Sequence, residues 1–381
     1  MGETISDRLP AADAEAIANS RRLVDRIIDQ IRSSGGWIGF DRFMHSALYE
    51  PGLGYYAAKP GKLGPEGDFV TAPEISPLFA RALAAQVAGC FEQLPPRLIE
   101  FGAGSGALAA ELIAELERLG VEAERYGIVE VSPELRARQQ ARLLDPRVQW
   151  LNAPPAGFDG VIVANEVLDV MPVQLFVKRD GAVLERGVQA DGSTLRLADR
   201  PAADALREAV EQIEAEAGPL PDGYVSEVGL LARAWTATLG TWLRRGVALL
   251  IDYGFPRHEY YHPQRAMGTL MCHFRHRAHA DPLWLPGLND ITAHVDFSAI
   301  AQAARGSGLD VLGYTSQARF LLDCGLLQLL AEPSGASRTP DVLRLLSESE
   351  MGELLKVLAV GRGLHSPLLG FASGDRSHRL L

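Results

Sequence analysis

Cysteine is scarce in this chain. Cys90, Cys272 and Cys324 are the three in 381 residues, and none stands in a CxxC pair. That spacing argues against a disulfide framework and a structural zinc site, and it points to a reducing, cytoplasmic setting. Long apolar runs are also missing. No stretch approaches the ~20 uninterrupted apolar residues of a membrane-spanning helix, so no span is expected. The opening MGETISDRLPAADAEA holds acidic groups and no apolar run, and it does not read as a signal peptide. Basic charge is outnumbered: 37 Lys and Arg stand against 48 Asp and Glu, a net charge of −11. A general nucleic-acid binder carries the opposite balance, so that class is set aside. An acidic surface suits a small molecule or a basic protein segment. The pattern says nothing of oligomeric state.

What is there is an ordinary globular composition, 47% hydrophobic and 22% charged, long enough for one large domain with insertions or about two domains. Residues 1–95 read as an N-terminal helical region. SRRLVDRIIDQIRSSGG puts Leu23, Ile27, Ile28 and Ile31 on one helical face and stops at Gly35-Gly36. Residues 49–75 form a long loop rich in Gly and Pro, whose length favours a functional role. SPLFARALAAQVAGCFEQL follows as a helix with Ser76 as cap and Pro77 at its first position. From Arg97 strands and helices alternate: RLIEF, GALAAELIAELERLG, RYGIVEV, SPELRARQQARLL (Ser132 as cap), RVQWL, FDGVIVANE and later GVALLIDYG. Such units predict a parallel sheet with helices on both faces. The expected core is 96–172 with 246–381. Residues 173–245 read as an α+β insertion, with strands joined at Asp-Gly turns and helices near 202–216 and 227–244. Residues 254–295 read as a loop, and ELLKVLAVGRG as a last edge strand.

The turn in RLIEFGAGSGALAAELI contains Gly102, Gly104 and Gly106. Glycines let a backbone curl tightly and approach a ligand, and the next helix offers free N–H groups. Gly102-x-Gly104-x-x-Ala107 also matches a dinucleotide fingerprint. Glu100, two residues before the turn, separates the two cofactors. A carboxylate there repels a pyrophosphate and attracts an ammonium or a sulfonium, an attraction of roughly 1–4 kcal/mol at ~4 Å. Glu130 ends the next strand and suits the ribose hydroxyls of either cofactor. Glu130 marks an adenosine site without choosing, and Glu100 tips the choice towards S-adenosylmethionine.

In VIVANEVLDVMPVQLF an apolar strand delivers Asn165, Glu166 and Asp169 to the carboxyl edge, where open α/β sheets bind ligands. Glu166 and Asp169, three apart, suit the planar fork of a guanidinium. The alternative is a helix cap with acidic first-turn residues. PEGDFVTAPEIS adds Gly67, Asp68 and Thr71, which alone would be a turn with a cap. Six histidines lie between 258 and 294. CHFRHRAH spaces three of them by threes, but the interleaved Arg275 and Arg277 oppose a cation, so no metal is expected. His294, between Asp290 and Asp296, is a candidate proton carrier or a hydrogen-bonded structural histidine.

GYYA, GDFVTAPEISPLF, IEFGAGSGALA, YGIVEVSPELRARQ, NEVLDVMPVQLF, LLIDYG, TLMCHFRHRAHADPLWLPGLNDITAHVDF and SQARFLLDCG occur in one order over residues 49–325. This set resembles the MidA family of S-adenosylmethionine-dependent methyltransferases, which includes a mitochondrial assembly factor for respiratory complex I. The resemblance implies a seven-strand Rossmann-like methyltransferase sheet and methylation of a protein arginine on a complex I subunit. Departures are local: the family's NEFFDALP reads NEVLDVMP, and GPGRG reads GAGSG. On this reading Gly67, Asp68, Thr71, Glu100, Gly102, Gly104, Gly106, Glu130 and Asn165 hold the cofactor, while Glu166, Asp169 and His294 serve the acceptor. A small-molecule methyltransferase, a non-catalytic cofactor-binding assembly factor and an NAD(P)-dependent oxidoreductase are the alternatives.

Overall fold

The computed structural model describes residues 9–58, 71–332, 339–348 and 350–380. The chain divides into two compact units. One comprises Met1–Phe69, Asp169–Ala232 and Arg257–His294; the other comprises Val70–Leu168, Arg233–Pro256 and Val295–Leu381.

The second unit carries the Rossmann-like sheet. Its path runs Asp310–Ser316, Leu355–Arg362, Leu243–Phe255, Phe158–Asn165, Arg97–Phe101, Arg125–Val129, Val148–Leu151. The two-residue strand Val295–Asp296 pairs beside Leu243–Phe255, so the sheet has eight strands rather than the seven expected. The strands from Leu243–Phe255 to Val148–Leu151 run parallel, and Leu355–Arg362 runs antiparallel to both its neighbours. Leu355–Arg362 is therefore not the edge strand that local pattern suggested. It lies between two strands, and six of its eight residues are apolar or glycine, as burial on both faces requires.

Register positions the site. Phe101 lies beside Val129 on one side and Ala164 on the other. The residues that follow, Gly102, Glu130 and Asn165-Glu166, leave the sheet at one common edge. Helix starts follow capping chemistry. Ser76 accepts the N–H of Leu78 with Pro77 next, and Ser132 accepts the N–H of Leu135 with Pro133 next. Val161, Val163, Val247, Leu249, Leu112 and Leu83 are among the side chains of this unit's buried core.

The first unit has its own core, with Leu23, Ile27 and Ile31 of the Ala14–Ser33 helix packed among Phe40, Phe43, Val188 and Ile291. Its larger sheet orders Ile38–Gly39, Ala182–Asp191, Gln174–Arg179 and Val225–Val228, with Thr194–Pro201 paired to Ala182–Asp191. Asp180-Gly181, both at positive φ, make the first Asp-Gly hairpin turn. The segment read as one loop, 254–295, contains a three-stranded sheet, Arg277–His279, Met271–Phe274 and Asp290–Thr292. Its hairpin turns at Arg275-His276, with φ of 46° and 62°, a pair that lacks the usual Asn, Asp or Gly signal.

Candidate active site

Gly102, Gly104 and Gly106 have φ of 63°, 53° and 79°. A Cβ on Gly104 would meet nothing within 4 Å, whereas one on Gly102 would press Val167 Cγ2 at 3.0 Å. The turn is thus backed by the Glu166-Val167 segment at Gly102 and open at Gly104. Ser105, within the turn, hydrogen-bonds Glu74 and accepts from Arg142 Nη1 at 3.0 Å. Thr71 stands at the N-cap of the Ala72–Ile75 helix, where its carbonyl accepts the N–H of Glu74 at 2.9 Å. Gly67 and Asp68 lie outside the described residues.

Glu100 is 2% exposed and accepts the Tyr126 hydroxyl at 2.6 Å. Burial pushes its carboxyl up to about 7; the Tyr126 bond pulls it down, and the Glu130 charge adds to the rise. In the sequence Glu100 reads as a full negative charge; its burial removes much of that charge at neutral pH in the free protein. Glu130 accepts the N–H of Ser132 at 2.8 Å on one oxygen and Gln139 Nε2 at 2.9 Å on the other. Burial raises its pKa, and those bonds oppose the rise.

At the end of the Phe158–Asn165 strand, Glu166 has φ of 53°, unusual for a side chain of its size. No helix begins here, so the helix-cap alternative does not describe this segment. Glu166 Oε1 accepts Asn165 Nδ2 at 3.1 Å and the Ala72 N–H at 3.3 Å. Asp252, buried, holds the turn from beneath by accepting the N–H groups of Val167 at 3.1 Å and Leu168 at 2.7 Å. Asn165 Oδ1 is buried and has no hydrogen-bond partner among the described residues. An orphaned acceptor at the sheet edge, beside a glycine turn open at Gly104, fits a ligand that brings an ammonium group.

The division between the units falls between Leu168 and Asp169. Asp169, buried, belongs to the first unit, where its carbonyl accepts the N–H of Ala293 at 2.9 Å. In that unit Tyr56 donates to Asp290 at 2.8 Å, and burial, then the charge of Asp290, raises the Tyr56 pKa, with a smaller push from Asp169. Tyr49 stacks on Tyr56 with ring centroids 5.7 Å apart. His294 is clamped through its backbone. Its N–H donates to Thr269 Oγ1, and its carbonyl accepts the Tyr260 hydroxyl, both at 2.9 Å. Thr269 and Tyr260 both also bond the buried Glu227. Asp296 is occupied as the cap of the Phe297–Gly306 helix. Among the described residues, no group of three or more His, Cys, Asp or Glu side chains is placed to hold a metal ion.

Residues 82–315 match the model of a family described as "Putative S-adenosyl-L-methionine-dependent methyltransferase". The chain belongs to this family. The methyltransferase is 50% identical to a protein from Burkholderia thailandensis crystallised with S-adenosyl-homocysteine, with a TM-score of 0.92 over 97% of this chain and 99% of that one. It is also 28% identical over 89% of its length to the mouse protein arginine methyltransferase NDUFAF7, mitochondrial, covering 84% of that protein, and 26% identical to the human one, covering 83%. Its cofactor is S-adenosylmethionine, and its fold is the α/β methyltransferase fold with a mixed sheet.

Several residues of the site carry no legible signal in the sequence. Gln139 and Trp150 look like ordinary helix and strand positions, yet Gln139 is fully buried and hydrogen-bonded to Gly104, Glu130 and Trp150. Asp252 was available as the polar residue ending an apolar run, LLIDYG, the same pattern that singled out Asn165-Glu166.

Proposed function

We propose that this methyltransferase modifies an arginine side chain of a protein, on a subunit of respiratory complex I. The observation that supports it most is the matched relatives themselves: proteins named protein arginine methyltransferase align over most of their length. The complex I subunit follows from the MidA resemblance. A cytoplasmic setting accompanies the proposal, in keeping with three buried free thiols.

Gly102, Gly104, Gly106 and Glu130 would hold the cofactor's adenosine, and Asn165 and Glu100 its amino-acid end. When bound, S-adenosylmethionine supplies an electrophilic methyl group, released from a positively charged sulfur to an attacking nitrogen. Glu166 is the residue assigned to the acceptor. Its carboxylate, fixed by Asn165 and Ala72, accepts N–H bonds from the guanidinium and orients one nitrogen. Asp169 and His294, the further candidates for the acceptor, belong to the first unit. Arginine stays charged at any physiological pH, so Glu166 does not strip it before transfer; the proton leaves as the new N–C bond completes. Positioning of this kind supplies most of the acceleration.

The test is incubation with methyl-labelled S-adenosylmethionine and an extract of the host cell, followed by amino-acid analysis. Labelled methylarginine in a protein is expected. Glu166→Gln should bind S-adenosylhomocysteine as the parent does and transfer methyl groups on the order of a hundredfold more slowly. Normal transfer by the variant would refute the role of Glu166. Label in another residue or a small molecule would refute the arginine assignment.

A further inference from the structure

Gln139 lies on the Pro133–Arg142 helix and is fully buried. Its amide makes three hydrogen bonds: Nε2 to the Gly104 carbonyl at 3.0 Å, Nε2 to Glu130 Oε2 at 2.9 Å, and Oε1 from Trp150 Nε1 at 3.1 Å. These partners settle which way the amide faces. An indole N–H can only donate, so Oε1 must face Trp150. A carbonyl and a carboxylate can only accept from it, so the two Nε2 hydrogens face them. Both donors are used, one on each of the two loops that make the cofactor site.

The consequences differ at the two ends. In the glycine turn, the bond to the Gly104 carbonyl fixes the Gly104–Ser105 peptide plane. The Ser105 N–H, antiparallel to that carbonyl in a trans peptide, points away from Gln139. At Glu130, Gln139 and the Ser132 N–H each hold one oxygen, so the carboxylate plane is fixed. The Val131 N–H is a third donor to this carboxylate, and the lone-pair direction left in that plane suits a hydroxyl group. A leucine would fill the same space in the core without doing either.

We propose that Gln139 is a positioning residue for cofactor recognition, setting the Glu130 carboxylate against a ribose hydroxyl and locking the glycine turn in its binding shape. The proposal rests on Glu130 as the ribose acceptor.

The experiment is calorimetric titration of the full-length protein with S-adenosylhomocysteine and with its 2′-deoxy analogue. The parent should bind the analogue about tenfold more weakly, having lost one hydrogen bond to a charged acceptor. Gln139→Leu should bind S-adenosylhomocysteine about tenfold more weakly than the parent, and its preference over the analogue should shrink to about twofold, because a misplaced carboxylate no longer reads the hydroxyl. General loosening of the fold would weaken both ligands alike and leave that ratio unchanged. Trp150→Phe, which removes only the donor that fixes the amide's orientation, serves if the leucine variant does not fold; it should narrow the ratio in the same direction. A parent that discriminates and a variant that discriminates as strongly would overturn the proposal alone. A parent indifferent to the missing hydroxyl would overturn the Glu130 reading and the proposal with it.

Discussion

Glu100 shows how one buried proton changes the meaning of a residue. In the sequence it is a charge beside a glycine turn. In the structure it is a carboxyl paired with Tyr126, half protonated near neutrality. The sign of the effect on stability follows. The folded protein keeps this proton up to about pH 7, while the unfolded chain releases it near 4.5. The contribution is therefore fully present below pH 4.5 and is lost as pH rises through 7, a change of roughly 3 kcal/mol. Urea unfolding of the parent and of Glu100→Gln at pH 4.5 and pH 8 should show the difference between them shifting by about that amount, with the variant relatively more stable at pH 8. A pH-independent difference would mean that Glu100 is ionised in the native protein throughout. A cationic ligand group beside Glu100 favours its ionised form, so cofactor binding should also release a proton near pH 6.

At the scale of the element, the strand-to-turn junctions were the most legible part of the site. Strand, glycine turn, helix is a local pattern, and Ser76, Ser132, Gly102, Gly104 and Glu130 each declare themselves within a few residues. Positive φ at Gly104 with open space beside it makes a specific expectation. Gly104→Ala should cost about 1 kcal/mol of stability, the strain of a left-handed residue, because a methyl there strikes no protein atom. Its effect on ligand should be larger than its effect on melting, with S-adenosylhomocysteine affinity falling on the order of a hundredfold where the methyl enters ligand space. Melting curves and calorimetry separate the two. Loss of both in proportion would place Gly104 among the structural turns. Other elements were hidden for physical reasons. Val225–Val228 is four residues long and merges into the helix pattern that follows. The Met271–His279 hairpin turns on Arg275-His276 instead of a glycine pair. The interior place of Leu355–Arg362 depends on an antiparallel partner far away in the chain, which no local period encodes. Gln139 is illegible for a similar reason. A buried glutamine differs from an exposed one only in its partners, and those come from three separate elements.

At the scale of the whole molecule, the units explain both what the sequence reveals and what it withholds. Each is assembled from three separated segments, so a boundary drawn along the chain follows neither. Each nevertheless has its own buried core, and the described residues of the cofactor site, from Thr71 through Glu130 to Asn165, fall in the second. A ligand that binds only the folded form stabilises it by mass action, about 2.7 kcal/mol at a hundred times its dissociation constant. Spread over the unfolding entropy of the entire chain, that lifts a single melting transition by on the order of 3 °C. Confined to the second unit, the same free energy meets a smaller unfolding entropy and moves that unit's transition further, leaving the first unit's in place. Scanning calorimetry with S-adenosylhomocysteine should therefore show either one modest shift or one selective, larger shift. NAD at the same concentration should produce neither, because the buried Asn165 Oδ1 beside the glycine turn, without a partner among the described residues, offers an acceptor where a pyrophosphate needs donors. A shift with NAD equal to that with S-adenosylhomocysteine would show that the site recognises adenosine alone, and that Glu100 and Asn165 take no part in the choice.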